Sequence, residues 1–544
     1  MALAAILILW LGRGTLFWGD ELAILIASPH FSLSDALQPH EGHLILTSRV
    51  VYQVLFEVFG TSYLPFRLLT VATVLLTVGL FFVYASRRLP ALVALAPCLV
   101  LLLFGSDSQH VIFGNGFIVL TAVVCGLGAL LALERDDRRG DVAACVLLCL
   151  GVASYSVALA FVVGIAVVIL LDDERVRRIW VVAIPALLYL AWWLWAQGAA
   201  GGNGESNASI SHALLFPSWG FQSLSAVLGA LSGFGYRFDP TASPPPVGLP
   251  LAALALVAFG WRLSQRPFPR TLWAALAIVL ALWMLEVLVY DPGWRRPYDP
   301  RYLFPMTVTV LVLASEAAAG MRWSRAGIYG LYAVVLGGLA VNATLLREQA
   351  AEFRNVSAVQ TRAAFTGLEL AGSNALDYFY PRPLDGVKLP LVNEQSPISV
   401  PISALPEGRS VAEEYRAVSE RDGGLGYSVA ELRTHGEPAG AEADAVLVGA
   451  LDPKLVPAAS PASGVTCRRS GSAGASIPLP RGGALLEADG DATEVQVRRF
   501  GATTFGVGTL EPGQPSILRI PADRSLAPWW VYAPTAPLKV CALE

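Results

Sequence analysis

The groups best suited to chemistry lie near the start of the chain. Asp20 and Glu21 are adjacent and follow the apolar run 2–12; His30, His40, Glu41 and His43 come next. Three of the six histidines therefore fall within residues 30–43. Paired acids at the edge of an apolar span are costly unless exposed or used. A carboxylate there suits general-base work, because partial desolvation strengthens its hold on a proton. The plainer alternative is that Asp20 and Glu21 mark a helix end among lipid headgroups. His40 and His43 share an H-x-x-H spacing with no third ligand to define zinc. The acids leave room for a divalent metal, Mg or Mn, without specifying one, and no cofactor is certain.

Further candidates are spread along the chain. Ser106-Asp107-Ser108-Gln109-His110 is a compact polar cluster. Asp107 reads as the cap of the next helix or, with His110 beside it, as a contact for a metal or a phosphate. Arg295, Arg296, Arg301 and Tyr302 lie at the start of a late apolar run, and Arg67 at the start of an early one. Guanidinium groups bind phosphate through paired hydrogen bonds, so these are candidates for holding an anionic donor. For Arg295 and Arg296 the alternative is anchoring to anionic headgroups. Glu286 lies inside an apolar run, where an acid is a functional candidate by default; pairing with a nearby arginine is the expected outcome. Glu316, near the end of its run, is expected to snorkel.

These residues need a membrane scaffold. The 544 residues are 55% hydrophobic and 15% charged, with mean hydropathy +0.56. A net charge of −4 and a pI near 6.0 offer no basic field for nucleic acid. Up to about residue 346, apolar runs alternate with short charged loops. About eleven spans are expected: roughly 2–12, 63–84, 90–104, 113–133, 142–153, 157–171, 179–196, 247–262, 271–290, 302–319 and 327–345. Arg87–Arg88, Arg135–Arg139, Arg175–Arg178, Arg262–Arg270 and Arg322–Arg325 fall in alternate loops. The positive-inside rule puts them, and the N-terminus, in the cytoplasm. To keep that parity, the weakly apolar stretch 221–236 is read as interfacial or re-entrant. Residues 43–59 read as an amphipathic interfacial helix, with Arg49, Gln53 and Glu57 on one stripe and Leu46, Val50, Val54 and Val58 on another.

Residues 347–544 have ordinary polarity and form a second, extracytoplasmic domain. Helical character is expected over 347–372 and 410–423, and short strands at 445–451, 493–500, 516–520, 529–532 and 538–543. Cys467 and Cys541 lie outside the apolar runs; paired in an oxidising compartment, they contribute on the order of 4 kcal/mol.

The stretch from Arg13 to Glu21, with Leu16-Phe17-Trp18-Gly19-Asp20-Glu21, resembles the opening of a GT-C glycosyltransferase. A histidine some twenty residues on, Gly60 and Arg67 extend the likeness. So does Pro300-Arg301-Tyr302-Leu303-Phe304-Pro305, similar to the motif that opens a late helix in these enzymes. The likeness is to the branch with protein mannosyltransferases and bacterial Rgt- and aminoarabinose-transferase-like enzymes, over roughly residues 10–345. Family members often carry His-Pro-Pro after the first loop, where this chain has Gly42-His43-Leu44.

The resemblance implies an all-α polytopic membrane domain over 1–346, with juxtamembrane helices in the first outer loop. A mainly β-rich α+β domain over 347–544 completes the expected fold. It also implies transfer of a sugar from a polyprenyl-phosphate donor to a hydroxyl on a glycan, lipid or protein, at the outer face of a bacterial cytoplasmic membrane. Asp20 would be the base and Glu21 an orienting acid. Arg301, Tyr302, Arg296 and Arg67 would bind donor phosphate, with His43, Asp107 and His110 auxiliary. The readings from other classes are a lipid or small-molecule transporter or flippase, and an inactive envelope-assembly scaffold. A transporter would show repeated halves, and no internal repeat is visible.

Overall fold

The computed structural model describes residues 1–18, 21, 24–25, 31–40, 42–172, 175–199, 209–233, 248–265, 269–290, 295–376, 424–437, 439–458 and 466–543. Asp20, His30, Glu41 and the expected helix 410–423 lie outside them. The chain divides into two compact units. The first comprises 1–15, 32–55 and 63–353; the second comprises 16–31, 56–62 and 354–544.

Among the described residues of the first unit, the helices of ten residues or more are α1 (Ala2–Leu11), α2 (Leu46–Phe59, whose last turn belongs to the second unit), α3 (Leu64–Ser86) and α4 (Ala91–Leu101). They continue as α5 (Gly116–Leu133), α6 (Arg138–Val152), α7 (Ala158–Leu170) and α8 (Trp180–Ala199). The remainder are α9 (Phe216–Ser232), α10 (Gly248–Gln265), α11 (Arg270–Leu288), α12 (Pro300–Ala317) and α13 (Arg325–Glu352). Among the described residues, six stretches are long and apolar enough to cross a membrane, or seven if α4 and the bent segment after it form one span. α1, α7 and α10 are apolar but shorter. The expected break within 142–171 falls after α6, where Ser154 Oγ turns back to the Leu150 carbonyl at 2.7 Å. α7 and α11 pack closely because Gly164 has no Cβ; one built there would lie 2.2 Å from Ile278.

Charge pairing gathers the helix ends on one side. Arg88 binds Glu134 and Glu316. Tyr84 donates its hydroxyl to Glu316, and Thr271 donates to the other carboxylate oxygen at 2.8 Å. Arg178 meets Asp136, Asp141 and Asp172, and Arg270 also meets Asp172. The ends of α3, α5, α6, α7, α11 and α12 thus share one network, called here the arginine end. Glu316 does not snorkel: it is 3% exposed and fully engaged, since an unpaired buried acid is costlier than a paired one.

The stretch Ile210–Ser232, which includes α9, has the length and composition of a span, yet its contacts keep both ends away from the arginine end. Ser209 N–H donates to the Leu288 carbonyl at the far end of α11. The Ala230 carbonyl accepts from Asn342, 17 residues into α13 and about 25 Å along it at 1.5 Å per residue. Of the stretch 221–236 expected to be interfacial, residues 221–233 are described and 234–236 lie outside the described residues. In α2, Val50, Val54 and Val58 are exposed while Tyr52 and Phe56 are buried, the outward apolar stripe of an interfacial helix.

Among the described residues of the second unit, α14 (Ala358–Ala371), α15 (Val429–His435) and α16 (Ala439–Leu451) precede the strands β1 (Lys454–Pro457), β2 (Cys467–Arg469), β3 (Ile477–Pro478), β4 (Gly483–Ala488), β5 (Thr493–Arg498), β6 (Phe505–Leu510), β7 (Ser516–Arg519), β8 (Trp530–Tyr532) and β9 (Leu538–Ala542). They form two antiparallel sheets, ordered β1-β7-β4-β9-β2 and β3-β8-β5-β6. β2 (Cys467–Arg469) lies beside β9 (Leu538–Ala542), with Cys467 opposite Cys541 and bonded to it. The strand expected at 445–451 is instead the end of α16. Every residue of that helix is buried, and an apolar run buried on all sides carries no periodicity to separate helix from strand.

Candidate functional site

Asp107 ties together three segments that are far apart in the chain or turn sharply. It is fully buried, after the break that ends α4. Its carboxylate meets His110 Nδ1 at 2.8 Å and accepts from the backbone N–H of Phe304 at 2.8 Å. It also caps the short helix Ser108–Ile112 through the His110 N–H. The capping role read from sequence is thus made, and the same carboxylate fixes His110 and the first turns of α12. The neighbouring turn is fixed as well, because Asn342 Oδ1 accepts from both N–H and Oγ of Ser106.

α12 begins with a cluster of arginines and tyrosines. Asp299 precedes it and accepts from Arg296 N–H at 3.1 Å. Arg301 approaches Asp299 at 3.6 Å and lies 5.2 Å from the centre of the Tyr302 ring. Arg296 lies 5.3 Å from the Tyr298 ring. Burial pushes the Asp299 carboxyl above the ordinary carboxylate range, opposed by the Arg296 N–H and the Arg301 and Arg296 guanidinium groups. Tyr302 is within electrostatic reach of Arg301, Glu286, Arg295 and Asp299. Asp107, His110, Arg296, Arg301 and Tyr302 are thus drawn to the start of one helix.

Other expected residues are engaged elsewhere. Arg67 donates to the carbonyls of Ile8 and Leu9 at 3.0 and 3.2 Å, closing the C-terminal end of α1. His43 Nδ1 lies 2.8 Å from Ser156 Oγ, and its ring centre is 4.3 Å from that of Tyr155. It fastens the first loop to the turn between α6 and α7. Glu21, in the second unit, is fully buried and accepts from Trp18 N–H at 3.2 Å. Asp20 is outside the described residues. Among the described residues no three His, Cys, Asp or Glu side chains form a metal-holding group.

Glu286 departs from expectation. It is 7% exposed and its Oε2 has no hydrogen-bond partner, so the expected pairing with arginine is not made. Trp219 and Trp283, likewise buried, have indole N–H groups with no partner. Trp219 Nε1 lies near the Glu286 carboxyl but outside hydrogen-bonding geometry. Trp283 packs against Gly220, where a Cβ would sit 3.0 Å from the ring. Tyr290 and His212 extend the aromatic wall: Tyr290 is edge-on to Trp219 at 5.5 Å and to His212 at 5.8 Å. The sequence signal for this group was an acid one turn beyond a tryptophan in an apolar run; its neighbours on α9 are far away in sequence.

No family model matches the chain, and no curated protein matches it. Among solved structures it is similar to the crystal structure of ArnT from Cupriavidus metallidurans bound to undecaprenyl phosphate. The identity is 13% and the TM-score 0.45, over 76% of this chain and 87% of that one.

Proposed function

We propose that this chain is a GT-C-type membrane glycosyltransferase that moves one sugar from a polyprenyl phosphate to an acceptor hydroxyl. The observation that supports this most is the start of α12. Arg296, Arg301 and Tyr302 gather there, the buried Asp107–His110 pair fixes the backbone, and the unpartnered Glu286 is within electrostatic reach of Tyr302. A cationic rim beside a buried polar group is the arrangement that an anionic lipid head carrying a sugar requires. If the arginine end faces the cytoplasm, this end faces outward.

In the proposed reaction the acceptor oxygen attacks the anomeric carbon and forms the glycosidic bond, with inversion. The bond from that carbon to the phosphate oxygen breaks, and polyprenyl phosphate leaves with the electron pair. The acceptor proton passes to Asp20, and Glu21 orients the acceptor. Arg301, helped by Arg296, binds the phosphate and stabilises its charge as it departs. The test is transfer from a panel of radiolabelled polyprenyl-phosphate sugars in membranes, with wild type beside Asp20→Asn. Transfer by wild type, reduced by about a hundredfold or more in the variant at equal protein level, supports the reading. No transfer from any donor overturns it.

A further inference from the structure

We infer that Trp219, Trp283 and Glu286 form the subsite for the transferred sugar and recognise it through its hydroxyls. This rests on the glycosyltransferase reading and adds the class of sugar. Three polar atoms from two helices, each at least nine-tenths buried as residues, are left without partners in one neighbourhood. Native interiors rarely leave such groups unmatched, and here three accumulate beside the arginine-lined start of α12. Two of them are on successive turns of α11; the third is next to Gly220, whose missing Cβ admits the Trp283 ring.

The types of the atoms define the ligand. Two indole N–H groups only donate, so they require acceptors. The carboxyl oxygen accepts and so requires a donor. A hydroxyl group supplies both roles, and a ring bearing several hydroxyls can answer all three atoms while its C–H face lies on an indole. An ammonium group has no lone pair for either indole. In place of a hydroxyl that answers an indole it leaves that N–H unmatched, at a cost for the buried donor, whereas beside Glu286 it pairs with the carboxylate.

The test compares kcat/KM for a polyprenyl-phosphate hexose with that for donors in which one hydroxyl is replaced by hydrogen or by an amine. Wild type, Trp219→Phe, Trp283→Phe and Glu286→Leu are measured as purified full-length protein in lipid nanodiscs. The phenylalanine variants keep an aromatic face and remove only the N–H. We expect wild type to prefer the intact hexose, and each variant to lose about tenfold on it. The loss should shrink to near nothing for the deoxy donor that lacks the matching hydroxyl. Equal losses on every donor, or no loss on any, overturns the inference while transfer itself stands. If wild type transfers from no donor, binding of the labelled hexose lipid is measured instead. Binding weakened by the variants keeps the subsite while the transferase reading fails; binding unchanged removes both.

Discussion

The two ends of the first unit handle buried acids in opposite ways. At the arginine end, Glu316 is bound by Arg88, Tyr84 and Thr271, and Asp141 and Asp172 by Arg178. At the other end, Glu286 is as inaccessible and is left without a partner for Oε2, with two indole N–H groups beside it. A paired buried charge holds helices together, and removing one partner is strongly destabilising. An unpaired buried group opposes folding, so removing it should not destabilise the protein. The second unit repeats the contrast within a single helix. Asp444 accepts from the N–H groups of Arg499, Phe500 and Gly501, whereas both oxygens of Glu442 lack partners.

Substitutions can break this comparison or sharpen it. The largest effect is expected outside it, at Asp20: Asn there should cut sugar transfer by about two to four orders of magnitude, with thermal unfolding unchanged. Next is Glu316→Ala, which strands the Arg88 guanidinium. A loss of about 3–5 kcal/mol is expected, seen as a fall in Tm and in protein recovered from membranes. Glu286→Leu, a loss of the same charge at the opposite end, should leave Tm unchanged or raise it by about 1 kcal/mol equivalent. If both substitutions destabilise alike, the distinction between the two ends fails.

The smallest effect concerns pH. Burial pushes the Glu442 carboxyl up to about 8, from an ordinary value of 4.5. The folded state therefore holds this proton more tightly than the unfolded one. Its contribution to stability is fully present below the unfolded value and is lost as pH rises through the folded one. Asp444 is displaced the same way by burial, to about 7, against its backbone donors. Amide exchange in β4 (Gly483–Ala488) and β9 of the full chain should slow between pH 8 and pH 5, after correction for intrinsic rates. Glu442→Gln should flatten much of that slope; an unchanged slope would remove Glu442 as its source.

Much of the architecture was legible in sequence because its signals are local. Apolar runs and arginine loops marked the membrane helices, the polar break after Val152 separated α6 from α7, and alternation with turn residues marked β5, β7 and β9. The 439–451 segment was misread because complete burial erases periodicity. The site was legible only in part. Asp107, His110 and the start of α12 were visible as residue types, but the bond from Asp107 to Phe304 joins positions 197 apart in sequence. The same holds for Arg88 and Glu316, 228 apart. Which buried acid is paired and which is left open depends on such distant partners, so sequence assigned Glu286 a partner and Glu316 an outward reach, and both were reversed.

The most direct test measures transfer and Tm on the same preparations of wild type, Glu286→Leu and Glu316→Ala. The account predicts that Glu286→Leu loses about tenfold in transfer from its preferred donor with Tm kept. Glu316→Ala should lose Tm, while the protein that stays folded keeps its transfer rate. The reverse pattern, with Tm lost at Glu286 and catalysis lost at Glu316, would contradict it.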